Sequence, residues 1–251
     1  MSNEISLKFG TLELDDTNNI TISRVSVKVG KNVPTTKIPQ TIGSVAEEAE
    51  EAYKTIAIEG DIAGNDYDDL RTNLDSLRAG LQGIDKLTTD DDRYINCQLK
   101  DFDFSYTTLR THANWKATFV AHFPLWLAET ATEDERTPTS TVGYVIANAG
   151  NAPTRIKIEV TAPAGGIADA CKIENTTTGK SLQYRGTIDA AEVLEVDNRY
   201  DTDDFEVLNN GVDDHVNFEG DFLTLNPGNN TIVYTGTAGA VIKITHRNAW
   251  Y

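Results

Sequence analysis

The chain has 251 residues, 39% of them hydrophobic, and a formal net charge of −17. It is long enough for one large domain or two smaller ones with real cores. It has no Lys/Arg cluster to neutralise nucleic-acid phosphates or to hold an anionic membrane surface, so neither partner is expected. Both halves are acidic, −7 over residues 1–128 and −10 over 129–251, which favours solubility without naming a partner. Cys97 and Cys171 lie far apart, with no His or Cys at ligand spacing, and read as two reduced thiols rather than a disulfide framework or a zinc site. The opening "MSNEISLKFG" lacks the basic start and apolar run of a signal peptide, and "FPLWLA" (123–128) is too short to span a bilayer. A soluble protein made in a cytoplasm is expected.

The N-terminal elements alternate with period two, the mark of half-buried strands. In "ISLKFGTLEL", Ile5, Leu7 and Phe9 share a face. In "ITISRVSVKVG", Ile20 and Ile22 stand on one phase and Val25, Val27 and Val29 on the other, so the pattern predicts a bulge near Ser23–Arg24. "KNVPTTKIPQTIG" (31–43) carries two prolines and reads as a loop or extended arm. The acidic "SVAEEAEEAYK" (44–54) has helix formers but sparse apolar residues, and reads as a mobile arm or a short helix. "TIAIEGDI" is a strand. Leu70, Leu74, Leu77 and Leu81 form one stripe at helical spacing and predict a helix over about 66–82, with Asn65 as cap, Asp66, Asp68 and Asp69 favoured by the dipole, and Gly83 as terminator. "RYINCQLKDFDFSYT" is a strand, and "NWKATFVAHFPLW" puts Trp115, Ala117, Phe119, Ala121 and Phe123 on one broad face to lie against that helix.

"AETATEDERTPTSTVG" has no apolar periodicity, and 129–143 is expected as a linker. The domains are therefore 1–128, a β-sandwich or folded sheet with one packed helix, and 144–251, a second all-β sandwich. In the latter, short strands are punctuated by Gly, Asn and Asp about every ten residues.

Chemistry finds little purchase. "DNRYDTDDFE" groups Asp197, Asp201, Asp203 and Asp204 but lacks the glycine and closing glutamate of the helix-loop-helix calcium site. A solvated turn is the simpler reading for it and for Asp90–Asp92. "TTTGKS" (176–181) ends like a phosphate loop, but Glu174 stands where the first glycine belongs and a strand follows, so Gly179 turns a hairpin. His112, His122, His215 and His246 are scattered, and no serine sits in a nucleophile elbow. No catalytic, cofactor or metal residue is assigned, and the chain is not expected to be an enzyme. "LNPGNN" (225–230) reads as a type II turn. Pro227 sits at its first corner and Gly228 at its second, an Asn bonds back to the backbone, "FEGDFLTL" and "TIVY" flank it as neighbouring strands, and Gly220 relieves a bulge.

An ordered string of segments carries a family resemblance: "NAGNAPTRIKIEVTAPA", "IENTTTGKSLQYRGTIDAAEVLEVDN", "LNNGVDDHVNFEGDFLTLNPGNNTIVYTG" and "AVIKITHRNAWY". Together they resemble the C-terminal domain of the distal tail proteins (Dit) of long-tailed bacteriophages. The first half is similar in architecture, although "AEEAEEA" has no counterpart. The resemblance implies a galectin-like second sandwich and a virion protein of the tail tip. It further implies a homohexameric ring joining the tail-tube protein to the tail-tip hub and supporting receptor-binding parts. The alternative is a carbohydrate-binding adsorption module using Tyr184, Tyr200, Tyr234 and Trp250.

Overall fold

The computed structural model describes residues 7–14, 20–32, 35–37, 44–46, 50–108, 110–138, 143–168, 171–200 and 205–251. The chain is mainly β and divides into two compact units, residues 1–126 and 127–251.

In the first unit the strands are β1 (Leu7–Phe9), β2 (Leu12–Glu13), β3 (Ile20–Asn32), β4 (Thr35–Lys37), β5 (Ser44–Ala46) and β6 (Glu50–Ala63). Helix α1 (Tyr67–Gly80) follows, then β7 (Ile84–Thr89), β8 (Arg93–Tyr106) and β9 (His112–Ala121). One antiparallel path runs β2-β1-β7-β8-β9-β6-β3. The layers of this unit thus come from a single sheet that curls. Phe9 on β1 and Phe119 on β9 are three strand positions apart, roughly 14 Å on a flat sheet at ~4.8 Å per strand. Their ring centroids are nevertheless 5.0 Å apart. Register shifts in β8 between Leu99 and Asp101 and in β3 between Ile22 and Arg24 mark bulges of the kind that add twist.

The β3 bulge is the one the sequence predicts, and its consequence is plain in the register. Ile22 pairs with Gly60 and Val25 with Ile58, so three steps along β3 match two along β6. The extra residue brings Val25, Val27 and Val29 onto the same face as Ile20 and Ile22. Without it the phase change would send them to the opposite side.

The Leu stripe of α1 is buried against this sheet, with Leu70, Leu74, Leu77 and Leu81 all at 3% exposure or less. Removing each from water contributes about 1.5–3 kcal/mol. The cap is Asp66 rather than Asn65. The Asp66 side chain accepts from the Asp69 N–H at 2.9 Å, and the Asp69 carboxylate in turn accepts from Asn65 N at 2.8 Å. Asn65 sits one residue too early for its own side chain to reach the free amides of the first turn. Gly83 has φ +93, a conformation that suits a chain leaving a helix. Trp115, Ala117, Phe119 and Ala121 are buried on one face as expected, whereas Phe123 lies past the end of β9 and is half-buried.

The segment 44–54 is not a helix where it is described. Ser44–Ala46 is β5, and β6 begins at Glu50. Pairing with β3, from Lys31↔Glu51 and Asn32↔Glu50 onward, overrides the helix preference of Ala and Glu. Residues 33–34, 38–43 and 47–49 of the expected arm lie outside the described residues.

Strand β10 (Trp126–Ala128) straddles the division, and the second unit continues with β11 (Thr132–Arg136), β12 (Tyr144–Asn148), β13 (Thr154–Thr161), β14 (Cys171–Asn175), β15 (Lys180–Tyr184), β16 (Val193–Asp197) and β17 (Glu206–Asn209). They are followed by β18 (Val212–Asp213), a short 3-10 turn (His215–Asn217), β19 (Phe218–Gly220), β20 (Thr224–Leu225), β21 (Gly228–Thr235), β22 (Val241–His246) and β23 (Ala249–Trp250). Two antiparallel sheets, β11-β22-β13-β16-β17-β18 and β12-β21-β14-β15-β19, enclose a core of Ile156, Ile158, Val160, Ile173, Ile232 and Ile244. On the outer side, Lys157 bridges Glu159 and Glu195, and Lys243 bridges Glu133 and Glu159, giving a charge ladder over four strands.

Two sequence expectations change here. Residues 132–136 of the expected linker form β11, an edge strand paired with β22 from Thr132↔His246 to Arg136↔Ile242. Its polar "TEDER" shows no apolar alternation because backbone pairing holds it, and charges on an edge strand discourage pairing with a stranger. "FEGDFLTL" is not one strand. β19 pairs with β15 in one sheet and β20 with β13 in the other, so the chain crosses the sandwich at Asp221–Leu223. Gly220 permits the crossing. Its φ is +100, and a Cβ there would lie 2.3 Å from the Ser181 carbonyl oxygen. The "LNPGNN" turn then carries the chain back, so "FEGDFLTL" and "TIVY" are not neighbours in one sheet.

Candidate assembly surface

The first unit leaves one long strand edge open. Strand β3 ends the sheet path, and it is thirteen residues long. A long edge strand presents unpaired backbone donors and acceptors to any neighbour. Val27 and Val29, turned to the core face by the bulge, remain 46% and 40% exposed. Beyond Lys54↔Ala121, where β9 ends, β3 and β6 continue as a ribbon of two strands, and β4 pairs with β5 from Thr35↔Ala46 to Lys37↔Ser44. A two-stranded ribbon is marginal alone in water and gains stability by lying against something.

The other face of the same sheet is polar. Lys116 Nζ meets Glu59 Oε1 at 2.7 Å, and Ser23 Oγ donates to the Glu59 carbonyl at 3.1 Å. The Lys116 ammonium holds the Glu59 carboxyl below its usual range, so Glu59 stays charged and has no proton to deliver near neutrality. A shallow cleft of about 410 Å³ lies there, lined by Ser23, Glu59, Asp61, Asp103, Asn114 and Lys116.

The residues weighed for chemistry are dispersed. Tyr184 and Tyr234 are buried in the second core, and only Tyr200 and Trp250 of the four aromatics are partly accessible. Tyr184 donates to Asp214 Oδ2 at 2.5 Å, and burial followed by that carboxylate raises its pKa. Gly179 turns the β14–β15 hairpin at φ +71, with its N–H bonded to the Asn175 carbonyl at 2.9 Å. No phosphate cradle forms. Asp197 is buried and held by Arg199 at 2.8 Å, while Asp201, Asp203 and Asp204 lie outside the described residues. Asp90–Asp92 turn the chain between β7 and β8. Among the described residues, no group of three His, Cys, Asp or Glu could hold a metal ion. Burial pushes the Cys97 thiol up to about 12 and Cys171 to about 11, which leaves both poor nucleophiles.

Sequence reasoning missed His215. Its Nδ1 lies 2.5 Å from Asp213 Oδ1 and its Nε2 3.0 Å from the Phe205 carbonyl oxygen. Both partners are acceptors, so both contacts are hydrogen bonds only when the ring carries two protons. The Asp213 carboxylate accordingly raises the His215 pKa. His246 is the opposite case. It is fully buried, it faces the Ala147 carbonyl at 3.2 Å through Nε2, and burial lowers its pKa.

Comparison with known proteins agrees with the architecture. Residues 149–250 match the family described as siphovirus-type tail component, C-terminal domain. No curated protein matches the chain by sequence. Among solved structures, the Dit protein of phage SPP1, described as a paradigm of the hub adsorption apparatus in phages infecting Gram-positive bacteria, superposes with a TM-score of 0.75. It is 14% identical and the match covers 97% of this chain and 98% of that one. A chain of the phage P2 baseplate in its activated conformation with Ca gives a TM-score of 0.47 at 12% identity, covering 96% and 97%.

Proposed function

From the match of residues 149–250 to the siphovirus-type tail component C-terminal domain, and from the fold shared with SPP1 Dit along nearly the whole chain, we propose that the chain is a distal tail protein that forms a hexameric ring in the phage tail tip. The ring joins the tail-tube protein to the tail-tip hub and supports host-attachment parts.

The observation that carries the ring is the β3–β6 ribbon with its long edge. A neighbour can cover that edge, and a contact between two unlike patches closes into a ring when the rotation allows. The dispersion of acids, histidines and thiols supports a structural rather than an enzymatic role. The carbohydrate alternative loses two of its four aromatic residues, since Tyr184 and Tyr234 sit in the core and cannot form a sugar platform.

The test is light scattering and negative-stain microscopy of the purified protein, alone and mixed with its cognate tail-tube and hub proteins. Rings with sixfold symmetry are expected. A particle that stays monomeric in every mixture, and that immunogold labelling does not find at the virion tail tip, refutes the proposal.

A further inference from the structure

Two exposed patches of the first unit differ in both shape and charge. The first is β3. Residues 20–32 hold Arg24, Lys28 and Lys31 and no acid, in a chain of net charge −17. Arg24 and Lys28 are exposed, and Val27 and Val29 add an apolar strip. The second patch is aromatic and acidic. Phe104 and Tyr106 pack edge to face at 5.4 Å, and Tyr67 lies 5.6 Å from Tyr106. All three rings are more than 40% exposed. Exposed Asp66 and Asp68 stand beside Tyr67 at the start of α1.

The Val27–Val29 part of the first patch lies toward the opposite end of the strands from the second, whereas Arg24 shares a row with Glu59 and Lys116. Tyr106 pairs with Ala113, Ala113 with Ile62, and Ile62 with Ile20, whereas Val29 pairs with Lys54 at the far end. One copy therefore cannot bring them together within its own sheet. Each has what the other lacks. Valines and cations face aromatic rings and carboxylates, and tyrosine rings are good faces for a lysine or arginine.

We propose that the ring contact is heterologous, with the Val27–Lys28–Val29 edge of one copy docking on the Tyr67–Phe104–Tyr106 patch of the next. The partner is a second copy of this chain, and the inference rests on the ring reading above. It makes the tyrosines the anchors and the charges the element that fixes orientation.

The experiment measures ring assembly against concentration, in the presence of tail-tube and hub proteins, for wild type, Lys28→Glu, Asp68→Lys, the Lys28→Glu/Asp68→Lys double variant, and Tyr106→Ala. Thermal melting of each variant reports that it folds. Lys28→Glu, Asp68→Lys and Tyr106→Ala are each expected to raise the assembly concentration about tenfold or more, the scale of a central interface residue. The double variant, which restores opposite charges across the contact, is expected to recover most of that loss. Wild-type rings that tolerate Lys28→Glu and Tyr106→Ala unchanged, or a double variant no better than the worse single, overturn this docking and leave the ring standing. A wild-type protein that forms no ring overturns both.

Discussion

Replacing Asn230 by Ala should uncouple the turn that returns the chain across the second sandwich. Asn230 is fully buried. Its Oδ1 accepts from Asn226 N at 2.9 Å and from Asn175 Nδ2 at 3.2 Å, and its Nδ2 donates to the carbonyls of Asn226 at 2.8 Å and Gly228 at 3.1 Å. Asn175 Nδ2 also donates to the Thr224 carbonyl at 2.8 Å, so the pair of amides ties β14, β20 and β21. Alanine orphans two donors, at about 1–3 kcal/mol for a buried one and less where water can reach Asn226. The expected loss is about 2–4 kcal/mol, or a melting temperature lower by roughly 8–15 °C for a unit of this size. Urea unfolding followed by circular dichroism measures it, with Asn229→Ala as control. Asn229 is exposed, and its substitution should stay within about 0.5 kcal/mol. An Asn230→Ala variant within 1 kcal/mol of wild type would show that the buried amides do not hold this turn, and the reasoning would fail.

Gly220→Ala should destabilise the second unit through backbone alone, because a Cβ meets the Ser181 carbonyl and φ is +100; a variant that melts with wild type would refute the strain. Asp66→Ala should cost about 1 kcal/mol by removing the α1 cap, whereas Asn65→Ala should leave the Asp66–Asp69 bond intact and cost less, and paired denaturation curves separate the two. NMR titration should find His215 protonating above the ordinary value of about 6.5 and His246 below it. The signs are opposite. The His215 contribution to stability is present below that value and lost as pH rises through its folded pKa. The His246 contribution is present above it and lost as pH falls through the depressed one. Histidines titrating in the reverse order would contradict the geometry. Neither Cys97 nor Cys171 should react with a thiol reagent in native buffer at pH 8, and both should react in denaturant; rapid native labelling would refute their burial.

The amino-acid sequence by itself determined whatever depends on near neighbours. The period-two strands, the Leu stripe of α1, the β3 bulge and the Pro227–Gly228 turn are all local patterns, because side-chain phase and φ are set within a few residues. The resemblance to the distal tail family was also legible, through an ordered string of such turns and strands. Tertiary structure decided what depends on partners distant in sequence. It made β11 a strand by pairing polar "TEDER" with β22, and it drew Glu50 onward into β6 by pairing with β3. It split "FEGDFLTL" between two sheets, and it moved the helix cap from Asn65 to Asp66. The surface was the least legible part. Val27, Val29, Phe104 and Tyr106 alternate like any core residue, and only the reach of α1 and the edge of the sheet decide that they stay exposed. Periodicity records which face a residue takes, whereas burial depends on what covers that face.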